Sequence, residues 1–146
     1  MKHLTRSSSL AACLVAVCTI GHAAEPALDG AWPAVSKTAM SITGDITVTD
    51  RALEFEDGQK IAWAFQATRT ANWADLGEEA EGAIYRVTVP SDPTLVRGNS
   101  FCGWPVTWIV LSRDPYDGLA MTVFYGEAMP SRFADDKVCA VYSYGR

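Results

Sequence analysis

Histidine is nearly missing from this chain. The 146 residues contain two, His3 and His22, and both fall in a leading stretch that reads as an export signal. The domain expected to remain has none. That excludes a Ser-His-Asp or Cys-His catalytic unit and any imidazole metal ligand. Cysteine is scarce as well: Cys13 and Cys18 share the leading stretch, leaving Cys102 and Cys139. After residue 24 no run is long and apolar enough to cross a bilayer as a helix, which takes ~20 residues. Repeats, low-complexity tracts, phosphate loops, dinucleotide fingerprints and cofactor motifs are all lacking, so the sequence implies no cofactor and no metal.

The leading stretch has three parts. Lys2 and Arg6 make a positive start, Leu10 to Ile20 is an uncharged apolar run of 11 residues, and Gly21-His22-Ala23-Ala24 supplies small residues for a signal peptidase. Cleavage after Ala23 places Gly21 and Ala23 at the two critical small positions. Cleavage after Ala24 would put His22 at the outer one, a poorer fit. Leu10-Ala11-Ala12-Cys13 also matches a lipoprotein signal. Most of the apolar run lies after Cys13, however, and lipidation there would leave Leu14 to Ile20 as a greasy tail. The expectation is a signal peptide over 1–24 and a single exported β domain over 25–146, periplasmic or secreted.

Loss of the signal removes Lys2 and Arg6. The 12 basic residues fall to 10 against 17 acidic ones, a net charge of −7. Such a surface repels nucleic-acid phosphates and anionic headgroups, so neither nucleic-acid binding nor membrane insertion is expected after cleavage. Two cysteines in an exported domain usually pair. A Cys102–Cys139 bridge would close a loop of ~38 residues, worth roughly 3–4 kcal/mol in the chain-entropy description.

The rest of the chain is short alternating segments separated by turn residues. Ile46-Thr47-Val48-Thr49 and Leu53-Glu54-Phe55-Glu56 alternate around Asp50-Arg51. A two-residue turn there sets Val48 opposite Leu53 and Ile46 opposite Phe55, making one apolar face. At Asp57-Gly58 an odd-length turn with Gly58 left-handed keeps Leu53, Phe55, Ile61 and Trp63 on that face. Tyr85 to Val89 alternates and stops at Pro90. Val106 to Leu111 is apolar on both faces, as in a strand covered on both sides. Asp114 to Gly118 is a turn, Leu119 to Tyr125 its returning strand, and Val138 to Tyr144 the last strand. Leu28 to Trp32 and Ala39 to Thr43 are weaker strands, and Asn72 to Glu81 is the only helical candidate. The fold class expected is all-β, an antiparallel meander of eight or nine strands forming a barrel or sandwich with one disulfide.

Gly30-Ala31-Trp32 is a Gly-x-Trp on a first strand, and the chain ends Tyr144-Gly145-Arg146. This resembles the calycin-like proteins: lipocalins, avidins and the small bacterial inhibitors of secreted metalloproteases. The resemblance implies that Trp32 plugs one end of a barrel and Arg146 caps it as a cation over an indole. An inhibitor of this type would insert a chain segment into an enzyme cleft. The run from Phe101 to Leu111, with the Cys139 segment, also resembles small exported bacterial proteins of unassigned function.

Four groups are candidate sites. In Phe101-Cys102-Gly103-Trp104-Pro105, Trp104 is either a rigid anchor for a partner or packing over the disulfide. Trp63, Phe65, Trp73, Trp108 and Tyr125 either line a ligand cavity or are plain core. Asp75, Glu78, Glu79 and Glu81 form an acidic cluster without a calcium-loop pattern, as a solvated loop does. Glu54 and Glu56 share a strand face, as a glycosidase carboxylate pair or as the polar side of an amphipathic strand. The expected function is non-catalytic binding of a partner protein or a small apolar ligand, inhibitor-like in one version. The alternatives are a histidine-free carboxylate hydrolase and an envelope accessory or structural protein.

Overall fold

The structure is a computed structural model that describes residues 24–74, 77–133 and 137–146. The export signal expected over 1–24 lies outside the described residues except for Ala24, and Asp75 of the acidic cluster lies outside them too. Eight antiparallel strands follow one another in a single sheet: β1 (Gly30–Trp32), β2 (Ile46–Val48), β3 (Ala52–Phe55), β4 (Lys60–Ala71), β5 (Ala80–Ser91), β6 (Val106–Arg113), β7 (Leu119–Tyr125) and β8 (Val138–Tyr144). Each strand pairs with its sequence neighbour, and the sheet curls into a half-barrel. Its two edges meet just past β1, where Ala34 bridges Tyr144 and the Val35 N–H donates to the Ser143 carbonyl. One helix, α1 (Lys37–Ile42), links β1 to β2.

The first hairpins follow directly from apolar alternation. Ile46 faces Phe55 and Val48 faces Leu53 across β2 and β3. Thr49 closes the Asp50-Arg51 turn, and its hydroxyl accepts the Ala52 N–H at 3.0 Å. At the next turn the Phe55 N–H donates to Gln59 O, leaving the three residues Glu56 to Gly58 in the loop. Gly58 has φ +86, a conformation a Cβ would oppose. Leu53 then faces Ile61.

Two apolar layers result. The inner face buries Leu53, Phe55, Trp63, Tyr85, Ile109, Leu111, Met121 and Tyr142, among others. The outer face of β5 to β7 carries a smaller cluster of Ile84, Trp108, Val110 and Phe124, covered by Trp73. β6 is therefore buried on both faces from Val106 to Ser112, as its unbroken apolar run implies.

Four expectations are corrected. Ala39 to Thr43 is not a strand; Lys37–Ile42 is helical, because the Ser36 hydroxyl caps it by accepting the Ala39 N–H at 3.1 Å. Asn72 to Glu81 is not a helix among the described residues. Its end belongs to β5, and Asn72 and Trp73 are held instead against the outer sheet face, where the Thr122 hydroxyl donates to Trp73 O. Leu28 precedes the first strand, which starts at Gly30. Pro90 does not end β5 either. It lies where pairing with β6 lapses between Arg86 and Ser91, so its missing N–H costs no ladder bond.

Candidate functional site

The connection from β5 to β6 is the longest described loop that returns to the sheet with its own framework. Leu95 is buried beneath it, Leu95 and Asn99 join through an N–H to carbonyl bond of 2.8 Å, and Thr94 bridges Ser100. The Asn99 side-chain amide donates to Ser41 O at 2.8 Å, docking the loop on α1, and the Gln59 side-chain amide donates to Thr94 O at 2.6 Å. The carboxylate of Asp92 accepts the N–H of Cys102 at 2.8 Å and of Gly103 at 2.9 Å. Cys102 is bonded to Cys139 of β8, with the two Cα atoms 5.3 Å apart.

This framework fixes the segment 101–105 and sorts its two aromatic residues. Phe101 points inward and is 1% exposed, edge-on to Phe55 and stacked on Tyr142, whose hydroxyl donates to Phe101 O. It is core and has no surface for a partner. Trp104 points outward and is 60% exposed. Its indole does not close the core; it stacks on Tyr125 with centroids 5.5 Å apart and planes 19° apart. The Lys137 ammonium lies 5.1 Å from the Tyr125 ring centre. The arrangement is a flat aromatic ledge on a pinned loop, with one indole face turned to solvent.

The other aromatic candidates do not share a cavity. Trp63 stacks on Tyr85 at 4.3 Å inside the half-barrel, beside Phe65. Trp73 and Trp108 lie on the opposite, outer face. Trp108 is capped by the Arg86 guanidinium at 4.6 Å and is buried. The interior holds three buried tyrosines, and burial pushes all three phenols up from their ordinary value; Tyr85 is raised further by its hydrogen bond to Glu25, Tyr142 by the charge of Asp92. Cavities of about 240 and 230 Å3 open on the outer surface.

The remaining candidates resolve into structural roles. Glu54 pairs with Lys60 at 3.0 Å, while Glu56 accepts the Asp45 N–H at 3.1 Å, so the two carboxylates serve different partners. Among the described residues no three His, Cys, Asp or Glu side chains converge as a metal site. Trp32 is buried with its indole N–H on Leu28 O at 2.9 Å. Arg146 lies over its ring at 4.9 Å, and so does Arg113 at 4.7 Å, which sequence reasoning missed. Asp92 was missed too, since an aspartate before a proline reads only as a turn residue. Compared with known protein families, curated proteins and solved structures, the chain shows no match.

Proposed function

We propose that this chain is an exported, non-catalytic binding protein that engages a protein partner through the 101–105 loop, with Trp104 as its anchor. The observation that carries the reading is a solvent-facing indole on a segment pinned by a disulfide and by the Asp92 carboxylate. Binding costs ordering entropy, and an aromatic side chain already held in place loses little. Large rigid aromatics are the commonest hot spots of protein interfaces. The inner face buries aromatic and aliphatic side chains that stack on one another, which favours a protein partner over a small apolar ligand held inside. Export follows from the leading stretch and agrees with a disulfide-bonded domain.

The test places a photoreactive amino acid at position 104 or at exposed position 51, on the β2–β3 turn, in the producing cells. A defined adduct from position 104 that is absent from position 51 supports the reading. Equal labelling at both positions, or none at 104, overturns it. Mass spectrometry of the exported form should find an N-terminus at Ala24 or Glu25, and a lipidated Cys13 would refute that part.

A further inference from the structure

The edge of β4 that faces β3 is left open over much of its length. β4 runs for 12 residues, whereas β3 has 4 and pairs only with Lys60 to Ala62. Just past that ladder the Trp63 N–H donates to Arg51 O at 3.0 Å, and there the neighbouring strand turns away. From Ala64 to Thr70 no main-chain bond is made on that side among the described residues. The opposite edge is paired with β5 from Trp63 to Ala71. Ala64 to Thr70 are all exposed or half-buried.

Every second residue of an edge strand turns its N–H and C=O outward. Trp63 does so. The bulge between Phe65 and Ala67 adds one residue to the count, so Thr68 and Thr70 turn outward beyond it. At the bulge the edge is guarded, because the Gln66 side-chain amide folds back on Ala64 O and Phe65 O, each at 3.3 Å. Past it, Ala67 to Thr70 span ~14 Å with no proline and no second bulge, the devices that keep other edges from pairing.

Two side chains on this stretch point to what pairs there. Thr68 lies across from Ala83 on the inner face, and its hydroxyl is buried with no hydrogen-bond partner. A buried hydroxyl without a partner costs stability. A hydroxyl directly opposite on an added strand supplies the missing bond, as in threonine pairs across other sheets. Arg69 lies across from Gly82 on the outer face, is exposed, and has no ion pair among the described residues. Glu81, across from Thr70, stands on the other face. A guanidinium on an edge repels a basic strand and attracts a carboxylate. A second copy docking its own β4 brings none, because Lys60 to Ala71 contain no acidic residue.

We infer that an extended segment of a partner protein adds a strand to this edge, antiparallel to β4, with a hydroxyl-bearing residue opposite Thr68 and a carboxylate opposite Arg69. Main-chain bonds supply the affinity of such an added strand, and the alternate side chains supply its specificity. Arg69 is at the turn end of the β4–β5 hairpin, whereas the 101–105 loop follows Ser91 at the other end, so the two surfaces are separate.

The experiment is a nuclear magnetic resonance titration of the exported protein with the peptide acetyl-Thr-Val-Glu-Thr-Val-Thr-amide. The controls are the same peptide N-methylated at every residue and one with lysine in place of glutamate. Saturable shifts and slowed hydrogen exchange at the amides of Thr68 and Thr70 are expected with the first peptide, none with the methylated one, and about tenfold weaker binding with the lysine one. Arg69→Glu should reverse that preference without moving the thermal midpoint, since the side chain is exposed. Thr68→Val should keep or raise the midpoint while weakening the peptide severalfold, because it removes an unpaired hydroxyl. No saturable shift up to about 5 mM peptide, equal binding of the methylated peptide, or an unchanged charge preference in Arg69→Glu would overturn the inference. So would protection of the same amides that grows with protein concentration and no peptide, which would assign the edge to a second copy.

Discussion

The carboxylate of Asp92 bridges two successive N–H groups, those of Cys102 and Gly103, at 2.8 and 2.9 Å. One side chain thereby sets the backbone direction immediately before Trp104. Hydrogen bonds to a charged acceptor are about twice as strong as neutral ones. Asp92→Ala should cost about 1–3 kcal/mol and speed hydrogen exchange at Gly103, while leaving exchange in β6 nearly unchanged. Thermal melting and amide exchange check both. An unaltered exchange rate at Gly103 would show that the disulfide alone holds the loop.

The bridge from Cys102 to Cys139 joins residues 37 apart in sequence and ties the loop to the last strand. A Cys102→Ser, Cys139→Ser double variant should lose roughly 3–4 kcal/mol, mostly by freeing the unfolded chain. Denaturant unfolding measures this, and a thiol assay on unfolded, unreduced native protein should find neither cysteine reactive. Loss of under about 1 kcal/mol would mean that the Phe101 and Tyr142 packing already fixes the same geometry.

The buried phenols of Tyr85, Tyr142 and Tyr144 give the fold an alkaline limit. Each has its pKa raised in the folded protein, first by desolvation. Below pH ~10 the phenol is protonated in both states, and this linkage leaves stability unchanged. Above pH ~10 the unfolded chain releases these protons while the folded one keeps them, so stability falls as pH rises. Each tyrosine contributes a slope of up to ~1.4 kcal/mol per pH unit. Absorbance near 295 nm should show these three ionising together with loss of tertiary structure. Ionisation of all three with the fold intact would contradict their burial.

Legibility from sequence followed the range of the interaction that decides each element. Ile46, Val48, Leu53 and Phe55 carry their own register, because alternation and a two-residue turn are local. Gly58 announces its turn for the same reason. Ala39 to Thr43 misleads because five residues fit either period, and the deciding contact is the Ser36 cap three residues upstream. Trp73 reads as part of a short helix, yet its place is set by the absent side chain of Gly82 on another strand. Exposure of Trp104 depends on Tyr125 offering a stacking face, a partner 21 residues away. The row of small residues Gly82, Ser112, Ala120 and Ser143 needs the registers of four strands at once, which no local pattern holds.

Two guanidiniums share one indole at the end of the half-barrel where the chain finishes. Arg113 and Arg146 lie 4.7 and 4.9 Å from the Trp32 ring centre. Each gains from the ring, at about 0.5–1 kcal/mol near a surface, and each repels the other. Removing one relieves that repulsion, so the survivor holds the ring better. Arg146→Ala alone should therefore cost well under 1 kcal/mol. Arg113→Ala should cost somewhat more, since it also breaks the pair with Asp117. The double variant should lose more than the two single losses added, the sign expected when two like charges compete for one site. Trp32→Ala should cost about 3–5 kcal/mol, as for any large buried aromatic. Urea unfolding of the four variants gives the cycle. Strict additivity of the two arginine losses would mean that the guanidiniums act on Trp32 independently, and a double loss smaller than the sum would reverse the repulsion argument.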